Sequence, residues 1–325
     1  MSRAPLLETG ATIDAKYTLV SRLGEGGMGV VFEASTGAGE RVALKAIAPS
    51  KKSEEAERRA RFAREIAVCR QIAHENLMPI LDHGVDPSTG TPYFVMPLLE
   101  GEDLATVLAR EHAIVPEAAI RIVLQACRGI SMLHASGIVH RDLKPSNFFL
   151  ERRGEAVTVR VADFGLAKAG QVSGSLTASN TGLGTPSYMA PEQSASAKHA
   201  DARADVWALG MVLYHALAGR PAFERPGAFY QYVVDSSRQV PGLQDLAPWI
   251  DARVARAVHA ALLREPDSRW PDVGELHLGL QMAIGFDASH APLLAREIVA
   301  VPAETRARRE LRAVLPSTWH DMLRG

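Results

Sequence analysis

The stretch His140-Arg141-Asp142-Leu143-Lys144-Pro145-Ser146-Asn147 decides how the rest of the chain is read. Directly after it the sequence runs FFLERRGEAVTVRVAD, two strand-forming segments with Gly154 between them, which predicts a hairpin. The hairpin ends in Asp163-Phe164-Gly165, sixteen residues beyond Asn147. Because a hairpin returns the chain to where it started, the loop carrying Asp142 and Asn147 and the loop carrying Asp163 are expected side by side.

Upstream, residues 17–95 read mainly as short strands joined by turns, an antiparallel meander. One helix interrupts it: from Arg58 to Ile72 the apolar residues Phe62, Ile66, Cys69 and Ile72 share a face, and Glu65 looks back toward the sheet. Gly24-Glu25-Gly26-Gly27-Met28-Gly29 fits G-x-G-x-x-G, which alone is a weak signal. Its context is more telling, since a strand follows it where a dinucleotide-binding fold would need a helix. A chain without Cβ atoms lets backbone N–H groups close on phosphate oxygens. In Val42-Ala43-Leu44-Lys45 a lysine ends an apolar strand segment; taken alone, such a lysine is more often an edge residue. After Gly101 the pattern turns helical, with Pro116 as a start signal and Trp207 to Gly219 as a buried helix containing His215.

Taken together these motifs resemble the eukaryotic-like (Hanks-type) serine/threonine protein kinases of bacteria, over roughly residues 17 to 280. The resemblance implies an α+β, bilobal protein-kinase fold: an N-lobe of about five antiparallel strands with one helix, and a mainly helical C-lobe. The boundaries expected are an N-terminal extension at 1–16, a kinase domain at 17–283 (N-lobe 17–96, hinge 97–103, C-lobe 104–283) and a C-terminal tail at 284–325. It implies transfer of the γ-phosphoryl group of Mg-ATP to a protein Ser or Thr hydroxyl, with Mn²⁺ as the alternative metal. By the same resemblance Asp142 is the catalytic base, Lys144 the lysine of serine/threonine-type enzymes, and Lys45 the phosphate-positioning charge, paired with Glu65. Asn147 and Asp163 are the metal ligands, and two oxygen donors on neighbouring loops suit Mg²⁺. The ATP site is expected from Gly24, Glu25, Gly26, Gly27, Met28, Gly29, Val31, Ala43, Lys45, Met96, Pro97, Leu99 and Phe149. Thr185, in Gly184-Thr185-Pro186-Ser187-Tyr188, would bridge Asp142 and Lys144 on the substrate side. Asp205 is implied as the anchor of the catalytic loop, and Glu192 with Arg269 as an ion pair across the lower lobe.

Two positions depart from the pattern. Pro97 stands where a glutamate is common, and it removes one N–H; adenine recognition needs only the Pro97 carbonyl and the Leu99 N–H. Phe149 stands where an aliphatic residue is usual, so the pocket floor is narrower or stacks on the base, which bears on ATP affinity more than on catalysis.

The bulk properties agree with a folded enzyme. The 325 residues are 47% hydrophobic and 22% charged, ordinary globular values that argue against disorder and coiled coil. A net charge of −1 gives no global field toward nucleic acid. No run of about 18 apolar residues exists and the N-terminus has no signal core, so no membrane insertion and a cytoplasmic location are expected. Cys69 and Cys127 are expected as buried free thiols. The arginine-rich run Arg306, Arg308, Arg309 and Arg312 reads as the solvated face of a terminal helix. Two rivals are weighed. A pseudokinase scaffold is disfavoured because Lys45, Glu65, Asp142, Asn147 and Asp163 are all present, and a small-molecule phosphotransferase because the Gly184 to Glu192 segment would shape a groove for a polypeptide. Thr177, Ser179 and Thr181 are expected sites of autophosphorylation, aided by self-association, with Arg141 as the cation that receives the phosphate.

Overall fold

The structure, a computed structural model, describes residues 7–26, 29–47, 66–163, 186–195, 201–225 and 227–307. Its first layer is an antiparallel sheet of six strands: β1 (Thr12–Ile13), β2 (Tyr17–Gly26), β3 (Gly29–Thr36), β4 (Arg41–Ile47), β5 (Asp82–Val85) and β6 (Pro92–Pro97), in the spatial order β1-β2-β3-β4-β6-β5. The two-residue β1 adds a strand to the expected five. It is fixed by polar contacts, with the Tyr93 phenol donating to Asp14 at 2.7 Å and the Asp14 amide donating to Asp86 at 2.9 Å.

Strand periodicity divides this sheet between two cores. Val42, Leu44 and Ala46 of β4 join Tyr93 and Val95 of β6 in a cluster with Leu19 and Phe32, whereas Ala43, Phe94 and Met96 join the main core. A period of two places Lys45 on the same face as Ala43, toward the C-lobe rather than at an edge. Residues 66–69 are helical and bury Ile66 and Cys69 in the main core; residues 70–72 turn away from the helix three residues before its expected end, and residues 58–65, with Glu65, lie outside the described residues.

The second sheet is the predicted hairpin, β8 (Phe148–Arg153) and β9 (Ala156–Val161), joined on its outer side by β7 (Gly101–Asp103). Gly101 has φ +144°, and a Cβ there would lie 2.1 Å from the Leu150 carbonyl oxygen. Only glycine lets β7 lie this close to β8.

The C-lobe is helical: α1 (Leu104–Glu111), α2 (Pro116–Ala135), α3 (Pro191–Ala195), α4 (Arg203–Ala218), α5 (Ala228–Val234), α6 (Leu243–Leu246), α7 (Ala252–Ala261), α8 (Val273–Ile284), α9 (Phe286–His290) and α10 (Ala303–Ala307). Asp103 caps α1 by accepting from the Thr106 amide at 2.9 Å. Helix α4 is apolar on all sides and buried from Ala204 to Tyr214, as a helix at the centre of the lobe must be. Both cysteines are buried thiols outside any disulfide, and burial pushes the Cys127 thiol up to about 12.

Residues 292–301, in the segment set apart as a tail by its weak periodicity, form a strap across the lobe. The Val157 amide donates to the Leu293 carbonyl at 2.8 Å, and the Ala295 amide to the Glu155 carbonyl at 2.9 Å. Farther along, the Val301 amide donates to Ala113 at 2.9 Å. Arg121, its side chain 8% exposed, joins α2 to the strap through the Pro292 carbonyl and the Glu297 carboxylate, both at 2.9 Å. Arg121→Ala should destabilise the protein by about 1–3 kcal/mol in urea unfolding, because it strands a carbonyl and a carboxylate. The Arg121 hydrogen bond holds the Glu297 carboxyl below its usual range, so this contribution is complete above the ordinary glutamate pKa and is lost as pH falls through the depressed value. The stability gap between parent and variant should therefore stay level above about pH 5 and narrow as pH falls below the ordinary glutamate value of 4.5.

Candidate active site

The loop from His140 to Asn147 takes its shape from Asp205, in the first turn of α4. Asp205 is fully buried. One carboxylate oxygen accepts the Arg141 amide at 2.7 Å; the other accepts the His140 amide at 2.8 Å and lies 2.8 Å from His134 Nε2. Hydrogen bonds to an ionised acceptor are about twice as strong as neutral ones, which is what a buried carboxylate needs. The clamp also holds Arg141 at φ +63°, a left-handed conformation costly for a residue with a Cβ. Gln193 fixes the other side of that residue by donating to the Arg141 carbonyl at 3.0 Å.

From this anchored bend the chemical groups project in order. Lys144 Nζ lies 3.0 Å from an Asp142 carboxylate oxygen, and Asn147 Nδ2 donates to the Asp142 carbonyl at 2.8 Å. Two bonds tie this loop to the end of β9: the Ala162 amide to the Asn147 carbonyl at 2.8 Å, and His140 Nε2 to the Ala162 carbonyl at 3.0 Å. The next residue, Asp163, also adopts a positive φ, +61°, and its carboxylate meets Lys45 Nζ of β4 at 2.5 Å. Lys45, Asp142, Lys144, Asn147 and Asp163 thus form one connected set spanning both lobes.

The glycine-rich segment is a strand-to-strand hairpin, with Gly24 paired to Val31, Glu25 to Val30 and Gly26 to Gly29. A Cβ on Gly29 would sit 2.0 Å from the Ala46 carbonyl oxygen, so glycine is what lets this hairpin close onto β4. Ala43 and Met96, opposite one another on β4 and β6, are buried in the main core; Val31, Leu99 and Phe149 pack against that core while partly exposed. Pro97 ends β6 opposite Val42, and Phe149 pairs with Asp103 of β7 and Arg160 of β9. Gly27, Met28, Glu65, Phe164, Gly165, Thr177, Ser179, Thr181 and Thr185 lie outside the described residues. His134, Gln193 and the bridging imidazole of His140 were not singled out from sequence; their roles depend on contacts at long separations, which no local motif records.

Below the site, Arg269 is buried and forms a bidentate pair with Glu192 at 2.7 and 2.8 Å. It also donates to the carbonyls of Leu263, Arg203 and Arg264, and its guanidinium lies 5.0 Å from the Trp207 ring centre. The pair adjoins Gln193, the clamp on Arg141.

A family model described as the protein kinase domain matches residues 17–259. The chain belongs to the protein kinase domain family. Among bacterial relatives, the serine/threonine-protein kinase Pkn1 of Myxococcus xanthus is 36% identical over 283 residues, covering 86% of this chain and 40% of that protein. The DNA damage-responsive serine/threonine-protein kinase RqkA of Deinococcus radiodurans is 37% identical over 268 residues, covering 81% of this chain and 39% of that one. This kinase chain therefore spans about two fifths of the length of the curated relatives it matches. The crystal structure of the Mycobacterium tuberculosis PknI kinase domain aligns with a TM-score of 0.67 at 27% identity, over 86% of this chain and 100% of that one. The fold is the bilobal protein-kinase fold. No helix of the described residues is long and apolar enough to cross a membrane.

Replacing Arg269 with Met strands the Glu192 carboxylate and three backbone carbonyls in the kinase core. The expected cost is about 3–5 kcal/mol in urea unfolding followed by tryptophan fluorescence. A cost below about 1 kcal/mol, the level of a surface pair, would show that this pair does not support the site.

Proposed function

We propose that the domain transfers the γ-phosphoryl group of ATP to serine or threonine hydroxyls of polypeptides, using Mg²⁺ or, alternatively, Mn²⁺. The observation that supports this reading is the connected set of Lys45, Asp142, Lys144, Asn147 and Asp163, which brings two carboxylates, two ammonium groups and an amide together between the lobes. Phosphoryl transfer asks a protein mainly for positioning and charge neutralisation. The acceptor oxygen bonds to the γ-phosphorus, the bond from that phosphorus to the bridging β–γ oxygen breaks, and ADP leaves; the hydroxyl proton passes to the Asp142 carboxylate. Lys144, hydrogen-bonded to Asp142, supplies positive charge beside the transferring group. Lys45 holds the α- and β-phosphates, positioned by Asp163 and, on this reading, by Glu65.

The donor set fits a hard divalent cation. Asn147 uses its amide nitrogen on the Asp142 carbonyl, which leaves its oxygen as the ligand, and Asp163 contributes a carboxylate. When bound, Mg²⁺ would neutralise charge on the phosphate oxygens. Adenine would enter the apolar slot of Val31, Ala43, Met96, Leu99 and Phe149, with the Pro97 carbonyl and the Leu99 amide as its polar contacts. Gly24, Glu25, Gly26, Gly27, Met28 and Gly29 would cover the phosphates, and Thr185 would bridge Asp142 and Lys144. The domain would work in the cytoplasm, where ATP is supplied and reduced thiols such as Cys69 and Cys127 persist.

Incubation with labelled ATP, Mg²⁺ and a generic basic acceptor protein, followed by mass spectrometry, should place phosphate on Ser or Thr of the acceptor. It should also find phosphate within Thr177 to Thr181 of the kinase itself, where roughly −2 of added charge would seek an arginine partner. Asp142→Asn and Lys45→Met should each lower transfer about 10²–10⁴-fold while leaving the protein folded. Rates within about threefold of the parent, too small a change for loss of a transition-state contact, would overturn the assignment.

Asp163→Asn removes a metal-binding charge, so calorimetry should show weaker ATP binding in the presence of Mg²⁺ and a smaller change without it. Equal changes under both conditions would count against Asp163 as a ligand.

A further inference from the structure

The outer side of α8 and α9 carries a run of exposed apolar side chains. Leu278 is 51% exposed, Met282 74% and Phe286 70%, and they follow one another at intervals of four residues. Residues four apart share a helix face, so Leu278 and Met282 form one stripe, and Phe286 extends it just past the end of α8 at Gly285. The inner side of α8 is used: Val273, Leu276, Leu280 and Ala283 are buried, and the helix packs on α2 and α7. Among the described residues nothing covers the stripe. Three side chains exposed to this degree present roughly 300–400 Å², comparable to the largest apolar patch of a typical monomer.

The chain leaves the described residues within reach of this stripe. Arg121 of α2 holds the Pro292 carbonyl, the Val301 amide donates to the Ala113 carbonyl, and Arg306 Nε returns to the Val301 carbonyl at 2.8 Å. Helix α10 therefore ends beside the start of α2. At helical rise, Ala113 and Arg121 are about 12 Å apart, and α9 adds about 7 Å more. Residues 308–325, outside the described residues, measure about 27 Å as a helix and more where extended, enough to reach Phe286 and continue along α8.

The sequence of that segment complements the stripe. Leu311, Val314 and Leu315 recur at three- and four-residue spacing, and beyond Pro316 so do Trp319, Met322 and Leu323. Its charged residues are mainly basic, Arg308, Arg309, Arg312 and Arg324 against Glu310 and Asp321, whereas α8 and α9 carry Glu275 and Asp287 and no lysine or arginine. A second copy of the chain is a poorer occupant, because a stable dimer buries about 800 Å² per partner, roughly twice what the stripe offers. A tethered segment needs less area, since attachment alone gives it an effective concentration on the order of millimolar. We propose that residues 308–325 fold back over α8 and α9, with Trp319, Met322 and Leu323 covering Phe286, Met282 and Leu278. The proposal is independent of the catalytic reading, and its test needs no nucleotide.

Met282 reports on its own cover, because oxidation of a methionine by hydrogen peroxide follows its exposure. The full chain is treated with dilute peroxide, and sulfoxide at Met282 is followed over time by peptide mass spectrometry, beside the variants Trp319→Asp and Leu323→Asp. Both variants place a charge on the apolar side of the segment and leave every residue of α8 and α9 as it is. Met282 should oxidise at least about fivefold more slowly in the parent than in either variant. The parent rate should stay the same across about a hundredfold range of protein concentration, as an intramolecular contact requires. Equal rates in the parent and both variants, whether fast or slow, would overturn the proposal by showing the stripe open or covered by something else. Protection that grows with protein concentration would overturn it in favour of a second copy.

Discussion

A single buried carboxylate gives this molecule its chemical centre. Asp205 gathers two consecutive backbone amides and an imidazole onto one charge. Without such an acceptor, the His140 and Arg141 amides would be buried donors with no partner, and the left-handed bend at Arg141 would be strain with nothing to offset it. The bend turns the following residues outward, so that Asp142, Lys144 and Asn147 leave a rigid base rather than a free loop. Helix α4 can carry the charge to that depth because it is apolar on every other side and packed at the centre of the lobe.

The second half of the centre is brought by a different device. The hairpin β8–β9 returns Asp163 to the anchored loop, and the period-two geometry of β4 turns Lys45 inward to meet it. The Lys45–Asp163 contact is consequently a direct polar link between the lobes and depends on the register of both sheets. At the opposite end of the hairpin, the 292–301 strap binds Glu155 and Val157, so one short ribbon carries the active-site contacts at one end and the pairing with the strap at the other.

Much of this was legible in the sequence because kinase chemistry is written in contiguous residues. The His140–Asn147 stretch, the Gly154 turn and Asp163 needed only a hairpin to be assembled, and strand propensity supplied it. Ala43 and Met96 fell on strands as their apolar runs implied, although Pro97 and Phe149 depart from the usual pattern. What sequence could not show were the contacts made across distance. His134 and Gln193 look like ordinary helix residues until Asp205 and Arg141 are beside them. The strap reads as a tail in sequence because it is held by backbone pairing, one buried arginine and two widely spaced apolar residues, Leu293 and Val301, which leave no hydrophobic period.

Amide hydrogen exchange at His140 and Arg141 tests the anchoring role of Asp205 most directly. The two amides should exchange no faster than core amides of α4 such as that of Leu213, since all three open only when the lobe does. In Asp205→Ala they should exchange at least about a hundredfold faster while Leu213 keeps its protection, and phosphoryl transfer should fall in step. Rapid exchange at the two amides in the parent, or protection that survives in Asp205→Ala, would show that the loop is held by something other than this carboxylate.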